Sequence, residues 1–202
     1  MKREYKVINL NDMISMLGED KSKEILSSFY CPKNKDVQDF IRVKAIEFSK
    51  QGLARTHLIF MNIKNEMKLL GYFTLSNKAI SIHKKSLSNK LRSRISKFGN
   101  YENEYNAYTL SAILIGQIGK NYANEVNKFI KGEEILKIAC DKVKNAQLDI
   151  GGRVVYLECE DVEYLVDFYT NNGFHSFGKR MLDKDEKDSL SGKYLIQFLR
   201  YL

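Results

Sequence analysis

The chain contains one proline and no tryptophan in 202 residues. A single imino acid, Pro32 near the end of an early helical stretch, leaves no proline-rich linker, and no composition break favours two domains, so one domain over 1–202 is the expectation. Cysteine is scarce: Cys31, Cys140 and Cys159 are odd in number, widely spaced and without a C-x-x-C pair, which argues against a disulfide framework and a zinc site and for buried free thiols. His57, His83 and His175 form no metal-binding spacing, so no metal is expected. The opening "MKREYKVINLNDMISML" has no uninterrupted apolar run. Neither a signal peptide nor a membrane span fits, and a cytoplasmic location follows as the expectation.

Acidic residues are missing from Met67 to Tyr101, a stretch that holds Lys68, Lys78, Lys84, Lys85, Lys90, Arg92, Arg94 and Lys97. The formal charge of +8 is therefore concentrated. Within the stretch, "SLSNKLRSRISKF" spaces Leu87, Leu91, Ile95 and Phe98 for one packed helical face, with the basic residues projecting outward. Taken alone, the run is either a solvated face or a surface for a phosphate-rich partner.

What remains alternates. "EYKVINL" reads as a strand, followed by a helix over about Ile14 to Phe29. "DVQDFIRVKAIEFSKQG" reads as one helix with Val37, Phe40, Ile41, Val43, Ile46 and Phe48 inward and Gly52 ending it. "ARTHLIFMNI" and "MKLLGYFTLS" flank "KNE" as a hairpin. "AYTLSAILIGQIG" is a long apolar strand, followed by a helix from Gly132 to Gln147, a strand "RVVYLECE", a helix "VEYLVDFYTNN" and two closing strands. This order predicts a mixed α/β (α+β) sheet of about seven strands with helices on both faces.

The order, together with "FYTNNGF", resembles the GNAT acetyltransferase superfamily, whose members move an acetyl group from acetyl-CoA to an amine. The family's aromatic-Tyr-x-x-x-Gly-Phe segment is matched by Phe168, Tyr169, Gly173 and Phe174. "GYFTLS", "LIGQIGKN", "KGEEILKIACDKV" and "IGGRVVYLE" fall in family order, so the resemblance covers almost the whole chain. More narrowly, the pieces look like the branch of toxins that acetylate aminoacyl-tRNA. Asp36, Asp39 and Phe40 loosely match its short Asp-x-x-hydrophobic helix, and Ile115 to Gly119 match its Leu-Gly-Arg-Leu-Ala strand, with Gln117 in place of arginine. The resemblance implies a mostly antiparallel GNAT-like sheet, acetyl-CoA as co-substrate, Tyr169 as general acid and, for the toxin branch, an antitoxin partner; it leaves monomer and homodimer open.

The chemistry fits in part. A pantetheine arm carries two amides and pairs with exposed strand backbone, here expected at Gln117, Ile118, Gly119 and Lys120; Gly119 either bends the chain away or forms a bulge. The pyrophosphate requires backbone N–H groups at a helix N-terminus. Aligned on "EILKIA", the family's glycine-rich loop falls on Asn127 to Gly132 and keeps only Gly132. Lys128 and Lys131 would replace lost glycine contacts with charge, whereas Glu133 and Glu134 would repel phosphate if turned toward it. Val162 stands where many family members carry asparagine.

A lysine amine is neutral about once in a thousand molecules near pH 7.4, and an α-amino group about a quarter of the time. The long strand has no carboxylate or histidine, and Glu102, Glu104, Glu158 and Glu160 elsewhere are more readily surface acids than bases. An aminoacyl-tRNA amine suits that poverty, and Lys84, Lys85, Arg92, Arg94 and Lys97 suit tRNA phosphates. Acetylation of a small-molecule amine or a protein N-terminus, and a non-catalytic module of this fold that binds nucleic acid or a partner, are the alternatives.

Overall fold

The computed structural model describes residues 4–183 and 192–202. In chain order the elements are β1 (Lys6–Asn9), α1 (Leu10–Leu17), α2 (Glu19–Ser27), α3 (Lys35–Asp39), a π-helical turn (Phe40–Lys44) and α4 (Ala45–Lys50). Then come β2 (Arg55–Ile63), β3 (Glu66–His83), α5 (Asn89–Ile95), β4 (Asn100–Glu102) and β5 (Ala107–Lys120). The chain closes with α6 (Gly132–Ile150), β6 (Val154–Glu160), α7 (Glu163–Asn171), β7 (His175–Met181) and β8 (Tyr194–Tyr201). The sheet order is β1-β2-β3-β5-β6-β8-β7, with β4 paired to β5. β1/β2, β2/β3, β4/β5, β6/β8 and β7/β8 are antiparallel, and β5/β6 is parallel through Ile113↔Val155 and Leu114↔Tyr156. This is the mixed, mostly antiparallel sheet expected, with eight strands rather than about seven. The extra strand is the three-residue β4, too short to show alternation in the sequence.

The described residues divide into two compact units, Met1–Ser76 with Ile115–Lys142, and Asn77–Leu114 with Val143–Leu202. In the first, the expected helix from Ile14 to Phe29 is two helices, because Gly18 adopts φ +82 between α1 and α2. The stretch from Lys35 to Lys50 is helical as expected, but its middle widens into a π turn closed by the Ala45 N–H on the Phe40 carbonyl. That turn shifts the helical phase, and Val43, expected inward, is 75% exposed. Gly52, at φ +73, follows the last turn as expected. Lys64 and Asn65 both take positive φ in the two-residue turn between Ile63 and Glu66, the handedness a tight hairpin requires. The core gathers Leu10, Leu26, Phe29, Phe40, Ile41, Leu58 and Tyr72, with Phe29 edge-on to the Tyr72 ring at 5.2 Å and Phe40 stacked on it at 6.3 Å.

In the second unit Ser88 caps α5 by accepting the Leu91 N–H at 3.3 Å. Leu87, Leu91 and Ile95 are buried with Ile80, Ile82, Tyr108, Leu110, Tyr156 and Leu199. Phe98, expected on the same face, lies beyond the last helical turn and is 39% exposed. Cys31, Cys140 and Cys159 are buried, and none is joined in a disulfide among the described residues. Burial, with Asp161 and Glu160 nearby, pushes the Cys159 thiol up to about 12, so it is unreactive near neutral pH. Among the described residues no helix is long and apolar enough to cross a membrane.

Candidate active site

The end of β5 is pinned to the first unit's core. The Gln117 N–H donates to Thr74 Oγ1 and the Asn121 N–H to the Leu70 carbonyl, both at 2.8 Å, and the Gly119 carbonyl faces Gly71. These odd-numbered residues turn their backbone groups toward β3. Strand alternation then directs the N–H and C=O of Gly116, Ile118 and Lys120 to the opposite edge. Of the backbone groups expected to meet the pantetheine, the Gln117 N–H is already used by Thr74. Gly119 is buried, and an added Cβ would lie 2.6 Å from Val37 Cγ1 and 2.7 Å from the Tyr72 ring. Close packing of α3 and Tyr72 thus accounts for this glycine. Burial, with Lys33 adding to it, holds the Lys120 amine below its usual range.

Sequence reasoning missed Asn121, whose position just after a strand carried no signal. It is buried; its Oδ1 accepts the Tyr30 N–H at 2.9 Å and the Ala123 N–H at 3.0 Å, and its Nδ2 donates to the Leu69 carbonyl at 2.8 Å. One amide fixes where the loop leaves the strand.

That loop, whose end from Asn127 to Gly132 is expected to meet the pyrophosphate, is a 3-10 helical stretch from Ala123 to Phe129, with Asn124 and Glu125 at left-handed φ. Lys128 pairs with Glu125 at 2.8 Å. Glu134 reaches back to accept the Lys131 N–H at 2.7 Å, one half of a capping box on α6, and its other oxygen accepts from Tyr5 Oη at 2.9 Å. The repulsion feared from Glu134 is thereby redirected into capping. The N–H groups of Gly132 and Glu133 have no intramolecular acceptor among the described residues, and the Lys131 and Glu133 side chains are exposed. Asn127 is half-buried. The α6 terminus therefore fits an anion through two backbone donors and the Lys131 side chain.

Tyr169 is the buried residue of α7, and its neighbour Phe168 is half-buried. Gly173, at φ +78, ends the helix, and the Phe174 N–H returns to the Tyr169 carbonyl at 3.1 Å. The Tyr169 ring lies 5.1 Å from Phe168, 6.0 Å from Phe174 and 5.8 Å from Phe198. Its hydroxyl makes no hydrogen bond among the described residues. Burial, more than the nearby Cys159 and Tyr164, raises its pKa, so it stays a neutral donor at physiological pH. Val162 half-caps α7 without a side-chain hydrogen bond.

Two of the acids considered as bases, Glu158 and Glu102, are otherwise engaged. Glu158 accepts Arg180 Nε at 2.7 Å and Nη2 at 2.7 Å as well as the Tyr156 hydroxyl, to which Gln197 donates at 2.8 Å. Glu102 accepts the Thr109 hydroxyl. Glu160 lies at the end of β6 and Glu104 in the turn before β5. The basic residues stay available: among the described residues none of Lys84, Lys85, Arg92, Arg94 and Lys97 forms an ion pair. Lys84 lies 5.4 Å from the Tyr101 ring centre and Arg94 5.0 Å from that of Tyr201. Arg92 Nη2 donates to Asn89 Oδ1 at 2.7 Å. Among the described residues no group of three or more His, Cys, Asp or Glu side chains forms a metal site.

Strand order and element sequence define a GNAT-like fold, as the sequence resemblance implied. Solved structures with this fold include AtaT complexed with acetyl-methionyl-tRNAfMet, at 16% identity and a TM-score of 0.61 over 96% of this chain and 94% of that one. A mutant of KacT matches at 15% identity and a TM-score of 0.62 over 96% and 94% of the two chains. A mutant AtaT toxin bound to the C-terminus of the antitoxin AtaR and acetyl-CoA matches at 14% and 0.59, over 96% and 92%. No protein-family model matches the chain. No curated protein matches it either.

Proposed function

We propose that this chain is a GNAT-type N-acetyltransferase that uses acetyl-CoA and acts on a primary amine, the α-amino group of an aminoacyl-tRNA being the favoured acceptor. The observation that carries the reading is Tyr169: its ring is buried among Phe168, Phe174 and Phe198, while its hydroxyl is engaged by no group among the described residues and is not one of their buried unpaired atoms, so it stays open to an incoming partner. Acetyl-CoA supplies an activated acyl group and a thiolate leaving group. Tyr169 is assigned the proton that the sulfur takes up, a role its neutral form keeps available. Ile118 and Lys120 are assigned the pantetheine amides through their backbone, and Gly132, Glu133 and Lys131 the pyrophosphate.

The unpaired basic side chains at Lys84, Lys85, Arg92, Arg94 and Lys97 support a phosphate-rich acceptor, and AtaT with acetyl-methionyl-tRNAfMet supports tRNA. AtaT with AtaR supports an antitoxin as a partner class. The Glu134 cap and the Lys128–Glu125 pair favour a second reading, a non-catalytic binding module, since both take cation or donor capacity from the anion site.

Calorimetry with acetyl-CoA separates the two: binding is expected, and none at millimolar ligand leaves the module. Labelled acetyl should then pass to charged but not deacylated tRNA. Tyr169→Phe should keep acetyl-CoA affinity and lose on the order of a hundredfold or more in turnover. Unchanged turnover would remove Tyr169 from the chemistry.

A further inference from the structure

The sequence offered no acid on β5 to take a proton from an incoming amine, yet tertiary packing delivers one. Asn34 Oδ1 caps α3 by accepting the Val37 N–H at 3.1 Å, and the buried Tyr72 hydroxyl donates to the Val37 carbonyl at 2.6 Å. With Val37 set against Gly119, the first turn of α3 is clamped onto the end of β5. Asp36, the residue before Val37, accepts Gln117 Nε2 on its Oδ2 at 2.8 Å, and Gln117 is itself held through its N–H by Thr74.

An amide donor orients a carboxylate without neutralising it. Asp36 is half-buried and has no ion pair among the described residues; its neighbour Lys35 is engaged by Asp39. The titratable groups around this turn are Tyr72 from β3, Cys31 ahead of α3, and Lys35 and Asp39 on α3 itself. Burial and then the charge of Asp36 raise the Tyr72 pKa well above its usual value, so Tyr72 stays neutral and offers no countercharge. An oriented, uncompensated and partly desolvated carboxylate attracts a cation strongly.

We infer that Asp36 receives the ammonium group of the acceptor and takes its proton, an inference that rests on the acetyl-transfer reading above. The ammonium N–H bond breaks, its proton passing to Asp36 and then to solvent while its electron pair stays on nitrogen. That pair forms the new C–N bond as the C–S bond breaks, and sulfur keeps the released pair. Nitrogen gives up one further proton, and sulfur gains one to leave as the thiol. Gln117 is a positioning residue that aims Asp36 at this task.

The competing structural role is stabilisation of the α3 dipole by a carboxylate in its first turn. Binding separates the two. At pH 6.5 an α-amino group of pKa about 7.7 to 8.0 is almost wholly charged. Wild-type protein should bind tRNA charged with mixed amino acids on the order of tenfold more tightly than the same tRNA after N-acetylation, the usual scale for one hydrogen bond to a charged group. Asp36→Asn should abolish that preference and raise KM for charged tRNA while leaving acetyl-CoA affinity unchanged. Asp36→Glu should recover part of both. Gln117→Arg, which neutralises the carboxylate in place, should mimic Asp36→Asn without loss of thermal stability. The Asp36→Asn deficit should also shrink above pH 8.5, where the amine is neutral unaided. If Asp36→Asn lowers only the melting temperature and keeps the preference and KM, Asp36 is structural and the inference falls while acetyl transfer stands. If wild type neither binds acetyl-CoA nor transfers acetyl, both fall together.

Discussion

His57 shows how much a single side chain can owe to its surroundings. It is 5% exposed, stacked on Phe73 with ring centres 5.0 Å apart, and burial with the nearby Lys142 lowers its pKa to about 4, against a weaker opposing effect of Asp12. The folded state thus binds a proton less readily than the unfolded chain, where the value is about 6.5. The stabilising contribution is complete above pH 6.5 and is lost as pH falls toward 4, a loss of about 3 kcal/mol at most. Urea unfolding of wild type and His57→Phe at pH 7 and pH 4.5 checks this. The wild type should lose more stability than the variant over that interval, and parallel losses would show that other groups dominate.

At the scale of elements, the end of β5 depends on what it lacks. Gly119 leaves room for Val37 from α3 and for the Tyr72 ring, and any Cβ there would meet both below van der Waals distance. Gly119→Ala should therefore cost about 1–3 kcal/mol of stability through overpacking, and should weaken acetyl-CoA binding as α3 is pushed off the strand. Denaturant midpoints and calorimetry read the two effects separately; a stable variant with intact α3 would mean the strand yields easily. The π turn from Phe40 to Lys44 belongs to the same scale. It absorbs one extra residue between α3 and α4, which lets Phe40 and Ile41 stay in the core while Val43 is released to solvent. α7 is simpler: Gly173 stops it where the sequence said, and Tyr169 rather than Phe168 takes the inward position.

Over the whole molecule the charge pattern is the property with the widest reach. Eight basic residues and no acid between Met67 and Tyr101 leave unpaired cations on and around α5. If these meet tRNA phosphates, changing Lys84, Arg92 and Arg94 together should reduce the slope of log affinity against log salt by about 2 to 3 and leave acetyl-CoA binding untouched. An unchanged slope in a tRNA filter-binding titration would assign the patch to solvation alone.

Much of the fold was legible because local rules set it. Short continuous apolar runs made β2, β3 and β6, Gly52 and Gly173 closed helices, and the order of elements set the sheet. Tyr169 was legible as a position but not as an environment, since its burial comes from Phe174 and Phe198, the latter distant in sequence. The meeting of Asp36 with Gln117, separated by 81 residues, the Asn121 pin and the diversion of Glu134 into capping were decided only by tertiary structure. The physical reason is range: propensity, turn chemistry and periodicity act over a few residues and are written in the chain. The partner of a charge or a hydrogen-bond donor is whichever group the packed core brings within about 3 Å.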